Sequence, residues 1–180
     1  MIPSTTTPSS VSTAQYPWYA EVLNNSLEQG DVLKDCLEPL PPSIGGPIQV
    51  DKTPAHTVVV LTQSCDLARD GVPLVMVCPV YTFSTWVKVQ KGSTKDNWQK
   101  LKNGALVHHH LLNRCTVAGL EEEHLVTDFR QAFSIPWSYA RELATQPSRV
   151  RLLPPYREQL SQAFARCYMR VGLPSEVDPI

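Results

Sequence analysis

The sequence contains no apolar run approaching the roughly 20 residues needed to cross a bilayer, so neither a membrane span nor a membrane partner is expected. An excess of one charge sign is also missing. Sixteen basic side chains against 17 acidic ones leave a net charge of −1, which excludes a generally basic nucleic-acid binder and confines any anion-binding surface to a local patch. CxxC and HxxxH-type spacings are absent. The five cysteines, Cys36, Cys65, Cys78, Cys115 and Cys167, are odd in number and unevenly spaced, and no signal-peptide-like apolar stretch precedes them. A reducing, cytoplasmic setting is therefore expected rather than a disulfide framework. No cofactor is expected.

What is present is an ordinary globular composition, 42% hydrophobic and 18% charged, in 180 residues, enough for one core. The Ser/Thr/Pro-rich start, residues 1–15, lacks apolar periodicity and reads as a flexible arm. A single domain over 16–180 follows, with β-rich material over about 27–130 and a helical part over 135–172. PWYAEVLNNS from Pro17 suggests a short helix, and GDVL from Gly30 a strand. Five prolines and two adjacent glycines between Glu38 and Pro54 rule out regular helix there.

The runs Val58 to Thr62 and Leu74 to Val80 are β-branched and aliphatic throughout, as strands covered on both faces should be. With Asp70-Gly71 as turn chemistry between them, they are expected to pair antiparallel. Tyr81 to Val89 alternates polar with apolar, residues 91–104 read as a polar connection, and further strands are expected at Leu106 to Leu112 and His124 to Phe129. Helices are expected from Pro136 to Ala144 and from Pro155 to Val171. Strands first and helices last define an α+β chain, built on a small, mainly antiparallel barrel-like sheet.

Four groups of residues could carry chemistry. Cys65 and Asp66 stand at a strand end, where a thiol projects into clefts; a turn-forming role for Asp66 is the simpler reading, with a cysteine-dependent hydrolase as the alternative. In His108-His109-His110, strand geometry puts His108 and His110 on one face and His109 on the other. A metal could then draw on His108 and His110 with Cys65 or Cys115 only if the fold gathered them, and no metal is expected. Lys88, Lys91, Lys95, Lys100 and Lys102 with Trp98 form the one stretch where positive charge meets aromatic surface, as single-stranded nucleic-acid binding requires; a solvated lysine-rich loop explains it equally well. Tyr156, Leu160, Phe164 and Cys167 make an apolar stripe that needs cover, from the chain's own core or from a protein partner.

The order Gly30-Asp31-Val32, a Pro-rich loop, the strand VVVLT, a polar turn, the strand VMVCPVYT and the later VTDFRQAFSIPWSYAREL resembles the MazF/PemK-type toxins over about residues 30–145. The resemblance implies an SH3-like β-barrel, commonly dimeric, that in active members cleaves single-stranded RNA without metal. Thr62 matches the hydroxyl residue closing the family's first long strand, Thr82 the Thr after the Pro of the second, and Arg130 the late Arg. Where the family has an important Arg before its first long strand, this chain has His56, followed by Thr57 instead of Pro. His56 could serve as proton acceptor or donor near neutral pH. The resemblance thus implies a nucleic-acid-associated protein of a mobile-element or defence system, as a ribonuclease or a non-catalytic descendant. The alternative is a scaffold subunit docking through its final helix.

Overall fold

The structure, a computed structural model, describes residues 16–39, 54–68, 72–115, 117, 120 and 122–169. The expected arm, most of the Pro-rich excursion, the Asp70-Gly71 turn and the end of the last helix lie outside the described residues.

Among the described residues eight strands form one sheet: β1 (Tyr19–Val22), β2 (Asp31–Leu37), β3 (Ala55–Val60), β4 (Leu74–Thr82), β5 (His109–Leu112), β6 (Leu125–Asp128), β7 (Phe133–Pro136) and β8 (Arg149–Leu152). Their order is β1-β8-β2-β3-β4-β6-β5, with β7 also beside β4, and every pairing is antiparallel. The described residues also form the α-helices α1 (Ser64–Leu67), α2 (Phe83–Val87), α3 (Thr94–Lys102), α4 (Trp137–Leu143) and α5 (Tyr156–Tyr168). The class is α+β. Among the described residues no helix is long and apolar enough to cross a membrane.

The two aliphatic runs become the adjacent strands β3 and β4, with Val58, Val59, Val60, Val75 and Val77 completely buried. Consecutive residues are buried because both faces are covered. On one side, Val59, Cys78, Val80, Val150 and Leu152 pack under α5; on the other, Val58, Val60, Val75 and Val77 pack under α4. A third cluster, Trp86, Leu101 and Val126, lies between β6 and the helices α2 and α3.

Three local expectations are corrected. The expected helix over Pro17 to Ser26 is replaced by strand β1 at its centre, Tyr19–Val22, because pairing with β8 and burial of Tyr19 outweigh a weak local preference. The alternating stretch from Tyr81 stops being a strand at Thr82, whose Oγ1 accepts from the Thr85 amide and starts α2. Residues 91–104 are not simply a polar connection: Ser93 caps α3 by accepting from the Asp96 amide, and Asn97 and Leu101 turn inward.

One irregularity positions the site. β6 and β7 run beside β4 in succession, Thr127 opposite Val80 and Phe133 opposite Val77. The neighbouring strand thus spends three more residues than β4 over this interval, and these form the 3₁₀ turn Phe129–Gln131. Phe129 is driven into the core while Arg130 and Gln131 are thrown outward.

Gly30 is required at its position. Its φ is +86°, and a Cβ there would lie 2.9 Å from the Leu152 carbonyl oxygen, against the backbone that accepts and donates across β2 and β8. Gly30→Ala should cost about 1–3 kcal/mol, read as a lowered urea midpoint with an unchanged slope.

Candidate functional site: a basic cleft beside the 3₁₀ turn

The alternation of β6 sends Val126 and Asp128 to one face and Leu125 and Thr127 to the other. Register then adds neighbours: Tyr81 stands opposite Val126, and His109 opposite Asp128. Asp128 is 4% exposed. Its Oδ1 accepts from Arg130 Nε at 2.9 Å and from the Arg130 amide at 3.2 Å, and its Oδ2 accepts from Arg130 Nη2 at 2.7 Å and Gln131 Nε2 at 3.1 Å. His109 Nε2 lies 3.5 Å from the same Oδ2. Burial alone would raise the Asp128 carboxyl, but hydrogen bonds from His109 and Arg130 outweigh it and hold the group well below the usual carboxylate range. The bond to Asp128 correspondingly raises the Arg130 guanidinium above its ordinary value.

The result is a fixed cation. Arg130 is clamped along its Nε–Nη2 edge, yet its side chain is 54% exposed. Beside it, the Tyr81 hydroxyl donates to Gln131 Oε1 at 2.6 Å, and burial pushes that phenol up. These groups line a cleft of about 690 Å³ together with Trp86 of α2, Lys91, Lys100 of α3 and Leu106. Asn97 Nδ2 donates to the Lys91 carbonyl at 3.2 Å and ties the α2–α3 loop to α3. Three cations against one carboxylate, framed by apolar walls, make an anion-binding cleft with room for an organic group.

Of the four residues carried over from the family resemblance, Arg130 alone lines this cleft. His56 Nε2 lies 3.1 Å from Glu38 Oε2. Thr62 accepts from the Met76 amide at 2.7 Å, and Thr82 caps α2 and bonds Thr85, which does line the cleft. Lys91 and Lys100 reach it; Lys88, Lys95 and Lys102 are exposed and do not line it, and Trp98 packs edge-on against Phe83 and His124.

Cys65 is exposed on α1, its Sγ 3.6 Å from Gln63 Oε1 and 3.7 Å from Asp66 Oδ1. Among the described residues no histidine or cation contacts it. The expected strand Leu106 to Leu112 begins only at His109, so alternation separates His109, which meets Asp128, from the half-buried His110 beside Phe129, while His108, just before the strand, has its Nδ1 3.1 Å from Cys167 Sγ. Cys115 is buried elsewhere, its Sγ against the Val117 carbonyl. Among the described residues no three His, Cys, Asp or Glu side chains gather closely enough to hold a metal ion. The α5 stripe faces its own sheet: Leu160 and Cys167 are buried, Tyr156 stacks on Trp18 at 3.6 Å between ring centroids, and Phe164 meets Phe129 edge-on. It is a core face, not an open docking surface.

Asp128, Tyr81 and Gln131 escaped the sequence reading. The spacing Asp-Phe-Arg-Gln held a usable signal, since an Asp two residues before an Arg can both cap a turn and clamp the guanidinium. No protein-family model matches the chain, and no curated protein matches it significantly. The site is therefore assigned on its own geometry.

Proposed function

We propose that this chain is a nucleic-acid-associated protein of the MazF/PemK-like, SH3-barrel type, acting in a mobile-element or defence setting, and that it holds single-stranded RNA at the basic cleft without cleaving it. The observation that carries this reading is the Asp128-clamped Arg130 lining one partly apolar cleft with Lys91 and Lys100. A guanidinium fixed by a buried carboxylate reaches a phosphate with little ordering cost. The barrel part is supported by the convergence of side chains from β1, β2, β3, β4, β5, β6 and β8 on one cluster beneath α5.

Binding without cleavage follows from what the cleft holds. Transfer through the 2′-hydroxyl requires a proton acceptor near the phosphate. Asp128 has its oxygens engaged by Arg130 and Gln131; His109 is turned to the same carboxylate and to Arg130 with its side chain only 7% exposed, behind the cleft wall; and His56, the histidine the resemblance would recruit, sits with Glu38 instead. The scaffold alternative loses support because its docking stripe is covered by the chain's own core, and the thiol alternative because Cys65 has no activating neighbour among the described residues.

A labelled single-stranded RNA titrated at several salt concentrations should give a log–log slope of about −2, the value for three phosphate contacts on a single strand. The RNA should be recovered intact. A slope near zero would remove the phosphate contacts from the reading, and Arg130-dependent cutting would remove its non-catalytic part.

A further inference from the structure

The same cleft points to a narrower ligand, an inference that rests on the nucleic-acid reading above. Asp128 spends its charge on Arg130, whereas Lys91 and Lys100 have no ion-pair partner among the described residues. Arg130 binds Asp128 through Nε and Nη2, and its Nη1 makes no hydrogen bond among the described residues. An internal phosphodiester carries one negative charge, while a phosphate monoester carries about −1.5 to −2 at pH 7. The surplus charge of the cleft matches the monoester.

Its walls also fit one nucleotide better than a run of them. Binding along a strand uses successive aromatic platforms. Here Trp98 is engaged by Phe83 and His124, with ring centroids 5.2 and 4.8 Å away, and Trp86 is only 3% exposed. Tyr81 is the half-buried ring left lining the cleft, with Leu106 among the apolar groups nearby. A volume of about 690 Å³ suits a small organic ligand.

We propose that the cleft takes a single nucleotide as its phosphate monoester, free or at the phosphorylated end of a strand, with the dianion held by Lys91, Lys100 and Arg130 and the base against Tyr81 and Leu106. Calorimetric titration of the full chain with UMP, uridine, and a hexauridylate with or without a 5′-phosphate tests this. UMP should bind about tenfold or more tighter than uridine, and the phosphorylated hexamer should exceed its 5′-hydroxyl counterpart by a similar factor, as charge-assisted bonds require. Lys100→Gln, on an exposed helix position, should erase both preferences, and Lys34→Gln on β2, outside the cleft, should leave them intact. Affinity for UMP should fall as pH drops below about 6, where the monoester takes up a proton.

Equal affinity for UMP and the phosphorylated hexamer shows that the terminal nucleotide carries all of the binding; weaker binding of the hexamer identifies a free nucleotide as the ligand, and tighter binding identifies a strand end. Uridine binding as well as UMP, or preferences that survive Lys100→Gln, overturns the inference. Salt-sensitive binding of the 5′-hydroxyl hexamer with no gain from the phosphate also overturns it and leaves the strand reading standing. UMP binding without affinity for either hexamer supports the inference and removes the strand reading.

Discussion

Asp31→Ala is expected to lower the thermal unfolding midpoint by about 10 °C, through loss of about 3–5 kcal/mol. Asp31 is fully buried at the start of β2. Its carboxylate accepts from Arg151 Nε at 2.5 Å and Nη2 at 3.1 Å and from the Glu28 amide at 2.9 Å, with Arg149 Nη1 at 3.7 Å. The Arg149 side chain is 2% exposed. Burial lowers the Arg149 guanidinium from its ordinary value, with Asp31 opposing that shift, so removing the acid leaves a buried cation without its counter-charge. Two strands of the β1-β8-β2 edge would loosen together, since the arginines belong to β8 and the acid to β2. Glu28→Ala, removing a partly exposed partner of Arg151, should cost about 1 kcal/mol or less. Calorimetry on the two variants separates the outcomes; a midpoint within about 2 °C of the parent for Asp31→Ala would show that the arginines find other partners.

Acidification should remove about 3 kcal/mol of stability between pH 6.5 and 4, most of it through His110. Burial first, and Arg166 second, push this imidazole down from its ordinary value to about 4. Its Nε2 has no hydrogen-bond partner among the described residues. The folded chain therefore keeps His110 neutral where the unfolded chain has already bound a proton. Stability is fully present above the unfolded value near 6.5, falls as pH drops towards 4, and loses nothing more from this group below that. Asp128 adds a second loss in a lower window: its depressed carboxyl stays ionised in the fold while the unfolded carboxylate protonates below about 4. His110→Phe, which keeps a ring against Phe129, should flatten the upper limb and leave the lower one. Urea titrations from pH 7 to 3 read both limbs, and an unflattened upper limb in the variant would assign the acid sensitivity to another group.

How much of this was legible in the sequence depended on the range of the forces involved. Val58 to Thr62 and Leu74 to Val80 announced themselves because strands covered on both faces need continuous apolar runs, whatever their partners. The stripe of α5 was equally readable, since helical period and aromatic burial are local properties. Strand β1 was not: four residues become a strand through β8, more than 100 positions away in the chain. Nor was the path of residues 126–136, where a three-residue 3₁₀ turn interrupts what would otherwise be one strand beside β4.

The site divides in the same way. Lys91, Lys100 and Arg130 could be named from charge and resemblance, but their convergence depends on α3 folding over β6. His109 and Asp128 meet only because β5 and β6 pair in one register. His56 stays outside the cleft, beside Glu38, which follows β2 and meets it across the β2–β3 pair.

The central claim is that Arg130, held by Asp128, fixes a nucleic-acid phosphate in this cleft. Its most direct test is the equilibrium binding of a 5′-phosphorylated, fluorescein-labelled single-stranded RNA to the parent chain and to Arg130→Gln, measured by anisotropy at one low salt concentration. The circular dichroism melt of each protein should be recorded alongside. The account expects a folded variant whose affinity falls about tenfold or more, the loss of a charge-assisted bidentate contact. Equal affinity for the two folded proteins would contradict it.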